Sequence, residues 1–423
     1  MSFCRSRLLA GLVFLLALPV SAGAATANSA AIAARPGTPP RVPGDDPRQL
    51  ARIVAEFEQL QDGVMRTGLV TGLAAVVVKD GKVVSRRGLG VADVATRKPV
   101  TTRTVFRLAS LSKAFAATLT ALLVDRGYVR WDDRVQDLVP AFELSNKREA
   151  SKLTVDALLS HRVGISHNAH DLLLERDQPY PMLAYKLREV PMICSVGDCY
   201  AYQNVAYSLI GDITFAVTGD FFYHQVERLL FHPLGMTTAT YGRDALEASA
   251  EYARPHVRRG KSWVSVRPKE SYYRLPPAAG VNASVEDLTQ WLLAQLGHRP
   301  DVLPRALLDT LHTPVVETPG ERLGSSWRRE RVTAASYAKG WRVYDYAGER
   351  MVFHAGAVQG YRAMLGFFPQ RDFGFALVWN CDSSVPAGLL PSLVDRYLGL
   401  PARNWLQLEK LPKNARIAAA GGR

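Results

Sequence analysis

The stretch Arg107-Leu108-Ala109-Ser110-Leu111-Ser112-Lys113 leads directly into the apolar run Ala114 to Val124. A run of that length without Gly or Pro reads as a buried helix. On a helix, residues three apart share a face, so Ser110 and Lys113 meet at its first turn. The positive end of a helix disfavours ammonium and lowers the lysine pKa from its usual ~10.4. The N–H groups of the same turn can hold an oxyanion. A lysine that gives up its proton beside a hydroxyl is one way to make serine a nucleophile. Taken alone the pair is a weak signal: about one S-x-x-K match is expected by chance in such a chain. Ser110 by itself reads equally well as an N-cap.

Working outward, Asp46-Pro47 opens an earlier helix, with Asp as N-cap and Pro at its first position. Leu50, Ile53, Val54, Phe57, Leu60 and Val64 follow at helical spacing. Leu73 to Lys79 and Lys82 to Leu89 then form a β-hairpin closed by Asp80-Gly81 in a type I′ turn. Towards the C-terminus, Trp341–Tyr346, Met351–His354, Ala363–Phe368 and Phe373–Trp379 read as an antiparallel meander. Gly348 and Arg371-Asp372 mark its turns, and Leu389 to Leu398 is a closing helix. Between the β regions the helical stretches are 112–126, 154–161, 204–218 and 284–296. The fold class is therefore α+β: one antiparallel sheet built from both chain ends, flanked by helices, with an inserted, mostly helical subdomain over roughly 130–270.

Two further stretches carry chemistry. Tyr202-Gln203-Asn204 lies at a loop-to-helix junction, where Asn204 could serve as a cap. His354-Ala355-Gly356-Ala357 ends a predicted strand and is followed by Gly360-Tyr361-Arg362. Small residues there would let a substrate backbone lie along the strand.

In this order the three elements resemble the serine β-lactamase and penicillin-binding protein superfamily, which uses S-x-x-K, then Y-x-N, then K-T-G or H-x-G. Leu158 to Ile165, His232-Pro233-Leu234-Gly235-Met236 and Ala279 to Ser284 are similar to its class C branch. The resemblance runs from roughly residue 50 to roughly 400. It implies an α/β domain and a helical domain with the active site between them. It also implies Ser110 as the acylated nucleophile, Lys113 as its activating partner, and Tyr202 as the phenol that shares the proton and serves the leaving group. Asn204 would bind the substrate amide or hold Lys113, and His354 would stand in place of the third-motif lysine. Gly356 and Ala357 would border the substrate, the N–H groups of Ser110 and Ala357 forming the oxyanion hole.

Where K-T-G has become His354-Ala355-Gly356, a hydroxyl and a positive charge that help hold a carboxylate are gone. Neutral histidine offers one N–H donor. Arg362 is a candidate for the missing charge, weighed against a plain surface arginine. Expected substrates are small molecules or peptides: a β-lactam first, with an ester or D-peptide close behind. A cell-wall peptide binder without turnover, bound to peptidoglycan, is the reading from another class. His161, His167 and His170 beside Asp171 could hold zinc. His161, however, falls in a structural family stretch and the others in a loop, so neither metal nor cofactor is expected.

The chain has 423 residues, 48% hydrophobic, with a formal net charge of +13. Its basic residues are scattered, with short clusters at Arg258-Arg259-Gly260-Lys261 and Arg328-Arg329-Glu330-Arg331, and read as a solvated surface rather than a nucleic-acid face. Arg5 and Arg7, the apolar run Leu8 to Val20 and Ala22-Gly23-Ala24 read as a signal peptide over 1–24, so a periplasmic or secreted protein without a membrane span is expected. Residues 25–45 read as a flexible linker, 46–405 as the hydrolase domain and 406–423 as a tail. Cys194 and Cys199 could form a local disulfide or remain two buried thiols, and Cys381 is left as a free thiol.

Overall fold

Each end of the chain contributes strands to one sheet, and β1 is where they meet. In the computed structural model, which describes residues 40–410, that sheet has nine strands. They are β1 (Gly72–Lys79), β2 (Lys82–Asp93), β3 (Lys98–Pro99), β4 (Val316–Glu317), β5 (Val332–Tyr337), β6 (Arg342–Tyr346), β7 (Glu349–Val358), β8 (Tyr361–Phe368) and β9 (Phe373–Trp379). Their spatial order is β3-β2-β1-β9-β8-β7-β6-β5-β4. The pairing of β1 with β9 runs antiparallel from Leu73 opposite Trp379 to Lys79 opposite Phe373. Asp80 and Gly81 close the first hairpin with φ of 51° and 70°, the pair of positive values a type I′ turn demands.

Every residue of β1 is buried, because both faces of the sheet are covered. Leu73, Ala75 and Val77 point to one side, where α1 (Pro47–Arg66) and a C-terminal helix (Leu389–Leu398) pack. Ala74, Val76 and Val78 point to the other, into a core shared with α2 (Ser112–Asp125) and the helix Val285–Gln295. Phe115 of α2 stacks on Trp291 of that helix with ring centroids 3.9 Å apart. The period-two alternation of a strand is thus read out as two apolar faces, not one. α1 starts as its sequence dictates: Asp46 accepts from the N–H groups of Arg48 and Gln49 at 2.9 Å.

The chain between β3 and β4 is mostly short helices and loops, with two small sheets that periodicity did not reveal. One joins Phe106–Arg107, Val281–Ala283 and Thr240–Tyr241; the other is the hairpin His256–Arg259 with Ser262–Ser265. β5 and β4 were likewise not anticipated. Cys194 and Cys199 form a disulfide, and Cys381 is a buried free thiol.

Three expectations need correction. The described end of the segment read as linker over 25–45 is tied to the fold: Arg371 donates to the Pro40 carbonyl at 2.8 Å and to Asp45 at 3.1 Å. A Cβ at Gly44 would fall 2.0 Å from the Tyr397 ring, so this segment needs glycine for close approach. The tail read from 406 starts later, because Leu406 is buried in the core around α1. The cluster at 328–331 is not simply solvated: Arg331 makes a fork onto buried Asp395 at 2.9 and 3.0 Å, and Arg328 pairs with Glu321 at 2.8 Å. The proposed signal peptide lies outside the described residues. Among the described residues, no helix is long and apolar enough to cross a membrane.

Candidate active site

Ser110 sits in a single 3-10 turn, Ala109–Leu111, that feeds α2. Ala109 before it is held at φ 49°, a left-handed conformation that turns the chain sharply ahead of Ser110. Ser110 makes no capping hydrogen bond, which disposes of the N-cap alternative. Ser112 secures the turn instead: its hydroxyl donates to the Ala109 carbonyl at 2.6 Å and accepts from Val281 N–H at 3.0 Å.

Lys113, one turn on, is fully buried. Its Nζ donates to Asn204 Oδ1 at 2.7 Å and to the Ala278 carbonyl at 3.1 Å, and lies 4.6 Å from the Tyr202 ring centroid. Burial drives its pKa well below the ordinary lysine value; the charge of Asp171 opposes this and that of Arg342 adds to it. The helix end invoked from the sequence is therefore not the main cause. Burial acts in the opposite sense on Tyr202, whose phenol is pushed up to about 12, with the charge of Arg342 and the nearby Ser110 hydroxyl pulling it back. The same enclosure thus favours a neutral amine and a neutral phenol together.

The Y-x-N segment is fastened from several sides. Tyr202 N–H donates to His167 Nδ1 at 2.9 Å, and Gln203 N–H to His161 Nδ1 at 3.2 Å. The Gln203 side chain donates to the Ser166 carbonyl at 2.6 Å, so this residue ties the motif to the neighbouring loop. Asn204 Nδ2 donates to Asp171 Oδ2 at 2.7 Å. His170 reaches the Lys186 carbonyl at 2.9 Å. The three histidines weighed as a zinc site therefore turn to three separate protein partners.

His354 is fully buried inside β7 and does not border the cleft. Its Nδ1–H donates to the Ala355 carbonyl at 2.9 Å, which leaves Nε2 to accept from Tyr337 at 3.2 Å. Tyr337 also lies 3.2 Å from His161 Nε2. Burial, then Arg342 and Lys113, hold the His354 pKa well below the usual imidazole range. The imidazole is a neutral brace between strands rather than a cation standing where the third-motif lysine would. Gly356 is dictated by contact: a Cβ there would lie 2.0 Å from the Leu108 carbonyl oxygen and 2.9 Å from Ser110 N. β6 pairs with β7 only as far as Phe353, so Ala355, Gly356 and Ala357 have β8 on one side and no strand on the other.

Ser110, Tyr202, Gly356, Ala357 and Arg362 line one cleft of about 410 Å³. Arg362 borders it while paired to Asp382 at 3.0 Å. Arg342, to which no motif drew attention, lies in the same cleft. Its guanidinium sits 5.5 Å from the Tyr202 ring centroid, braced by Glu321 at 3.1 Å. The available signal was a charged residue inside a predicted strand beside the third motif, which periodicity alone does not interpret. A larger depression of about 780 Å³ adjoins across Arg328 and holds none of the motif side chains, whereas Ser110 and Tyr202 line the smaller cleft.

Residues 53–396 match the family model described as Beta-lactamase. The chain belongs to the beta-lactamase family. It is 24% identical over 333 residues to Protein flp of Staphylococcus aureus, covering 78% of this chain and 63% of that protein's length. The octameric penicillin-binding protein homologue from Pyrococcus abyssi superposes with a TM-score of 0.73 at 23% identity, covering 85% of this chain and 79% of that one. EstCE1, described as a hydrolase with promiscuous acyltransferase activity, superposes with a TM-score of 0.68 at 15% identity, covering 83% of this chain and 100% of that one. These structural likenesses establish the fold, a β-lactamase/transpeptidase-like one with hydrolases among its members.

Proposed function

We propose that the protein is an exported serine hydrolase that forms an acyl-enzyme on Ser110 and acts on carboxylate-bearing amides, β-lactams or D-peptides. The observation that carries this reading is that Ser110, Tyr202 and Arg342 line one cleft with Lys113 Nζ 4.6 Å from the Tyr202 ring, in an enclosure whose burial favours the neutral amine and the neutral phenol.

The chemistry follows from those protonation states. The Ser110 proton passes through the Tyr202 phenol to the neutral Lys113 amine as Oγ bonds to the carbonyl carbon. The carbonyl electron pair moves to oxygen, which the N–H groups of Ser110 and Ala357 hold. When the C–N bond breaks, Tyr202 protonates the leaving nitrogen and is recharged from the Lys113 ammonium. Water then repeats the sequence on the acyl-enzyme, releasing the acid and restoring Ser110.

His354-Ala355-Gly356 lacks the lysine and threonine of K-T-G, which by itself raises the esterase or D-peptidase reading. Arg342 and Arg328 return positive charge to the cleft from another strand and helix, which favours a substrate carboxylate. The carboxylesterase reading keeps one support, the apolar wall of Trp327, Met364 and Trp379. Export is supported by the N-terminal sequence and by the disulfide, a bond at home in oxidising compartments.

The test is turnover of a chromogenic cephalosporin, a D-Ala-D-Ala peptide and a short p-nitrophenyl ester by wild type and Ser110→Ala. Turnover of either amide, lost in the variant, is the expected result. Cleavage of the ester alone would make the protein an esterase, and activity surviving in Ser110→Ala would end the acyl-enzyme reading.

A further inference from the structure

Asp171 entered the sequence reading only as a neighbour of three histidines, yet the fold turns its carboxylate towards the catalytic lysine. It opens the short helix Asp171–Glu175, directly after His170 at φ 66°. Between Asp171 and Lys113 lies the Asn204 amide, with contacts of 2.7 Å on both sides: Lys113 Nζ to Oδ1, and Nδ2 to Asp171 Oδ2. A flipped amide would set its NH₂ against the lysine donor and its oxygen against the carboxylate, so the aspartate selects the orientation that serves Lys113. Tyr272 donates towards the same Oδ2 at 3.3 Å and lies 3.2 Å from Glu175. Burial raises the Asp171 carboxyl above the ordinary aspartate range, while the Asn204 bond, the charge of Lys113 and the Tyr272 hydroxyl pull it back towards the anion.

The other oxygen, Asp171 Oδ1, is buried without a hydrogen-bond partner. A buried carboxyl oxygen without a partner costs stability, and its presence one side chain from the lysine calls for a functional reason. The remaining groups around Lys113 do not supply a negative charge. Arg342 faces it from β6 as a cation, Tyr202 and Tyr207 as neutral rings 4.6 and 5.5 Å from Nζ, and His161 and His354 as neutral imidazoles. Glu175 stands behind Tyr272.

We propose that Asp171 is a positioning residue, which locks the Asn204 amide onto Lys113 and presents to that amine the negative charge opposing Arg342. This rests on the acyl-transfer reading above. The carboxylate touches no substrate; it acts through Asn204.

The experiment is the pH profile of kcat/KM, with kcat and KM separated, for wild type, Asp171→Asn, Asp171→Ser and Ser110→Ala, each checked for folding by thermal unfolding. Asp171→Ser leaves room for water, so a folding failure of one variant does not decide the matter. Removing the anion destabilises the ammonium, so the acid limb should move to lower pH by about one unit in both Asp171 variants. Release of the amide should lower kcat roughly tenfold with KM nearly unchanged. In an Asn204→Ala background, the further kcat loss from Asp171→Asn should vanish while the limb shift persists. An acid limb that stays in place in folded Asp171→Asn and Asp171→Ser overturns the proposal. Ser110→Ala reports separately: its activity would overturn acyl transfer, whereas an inactive Ser110→Ala beside an unmoved limb would overturn Asp171 alone.

Discussion

Lys113 and Tyr202 share one enclosure that pushes the amine down and the phenol up, and this sets the pH behaviour. Kcat/KM should rise with pH as Lys113 loses its proton, then hold a plateau, since Tyr202 keeps its proton to about 12. A pH-rate profile checks this, and Lys113→Met should remove the limb together with roughly 10²–10⁴-fold of the rate. The linkage to stability has a definite sign. Between the lowered folded pKa and the ordinary 10.5, the unfolded chain binds a proton that the folded chain does not, so stability rises with pH across that window. Lys113→Met should therefore be inactive yet melt higher than wild type at neutral pH. Arg342→Gln tests the charge of the cleft: KM for a carboxylate-bearing amide should rise about 10–100-fold, with little change for a neutral ester. A Tm beside each measurement keeps folding separate from binding.

At the scale of elements, the approach of β7 to the turn carrying Ser110 is the feature on which the site depends. Gly356→Ala places a methyl group 2.0 Å from the Leu108 carbonyl, a backbone atom that cannot swing aside. Urea unfolding should show a loss of about 1–3 kcal/mol, and the folded variant should lose most of its kcat/KM as Ser110 is displaced. Much at this scale was legible in sequence. Asp46-Pro47 set the start of α1, Asp80-Gly81 set the first hairpin, and the apolar run after Lys113 became α2. These are local effects of capping, turn chemistry and burial, which short stretches encode. β4, β5 and the two small sheets were not legible. Two-residue strands such as Val316–Glu317 carry no period, and this one is defined only by its pairing with Ser336 and Tyr337 of β5.

At the scale of the whole molecule, the two chain ends are tied together by Arg371, which is buried and bonds Pro40, Asp45 and Glu349. Arg371→Met removes the cation from between two carboxylates and should cost about 3 kcal/mol. Thermal unfolding would record it as a lowered Tm, with kcat/KM of the folded protein unchanged because the cleft is untouched. What the sequence by itself determined was the first helix, the first hairpin, the C-terminal meander and α2, because capping, turn chemistry and apolar runs are local matters. Ser110, Lys113, Tyr202 and Asn204 it offered as candidates, through motifs whose order resembles a family. What only the tertiary structure decided was which charges meet them. Arg342 arrives from β6 and Asp171 from a distant helix, whereas His354 withdraws into a neutral brace with Tyr337. Electrostatics acts through space between residues far apart in the chain, and the burial that shifts these protons exists only once both faces of the sheet are covered.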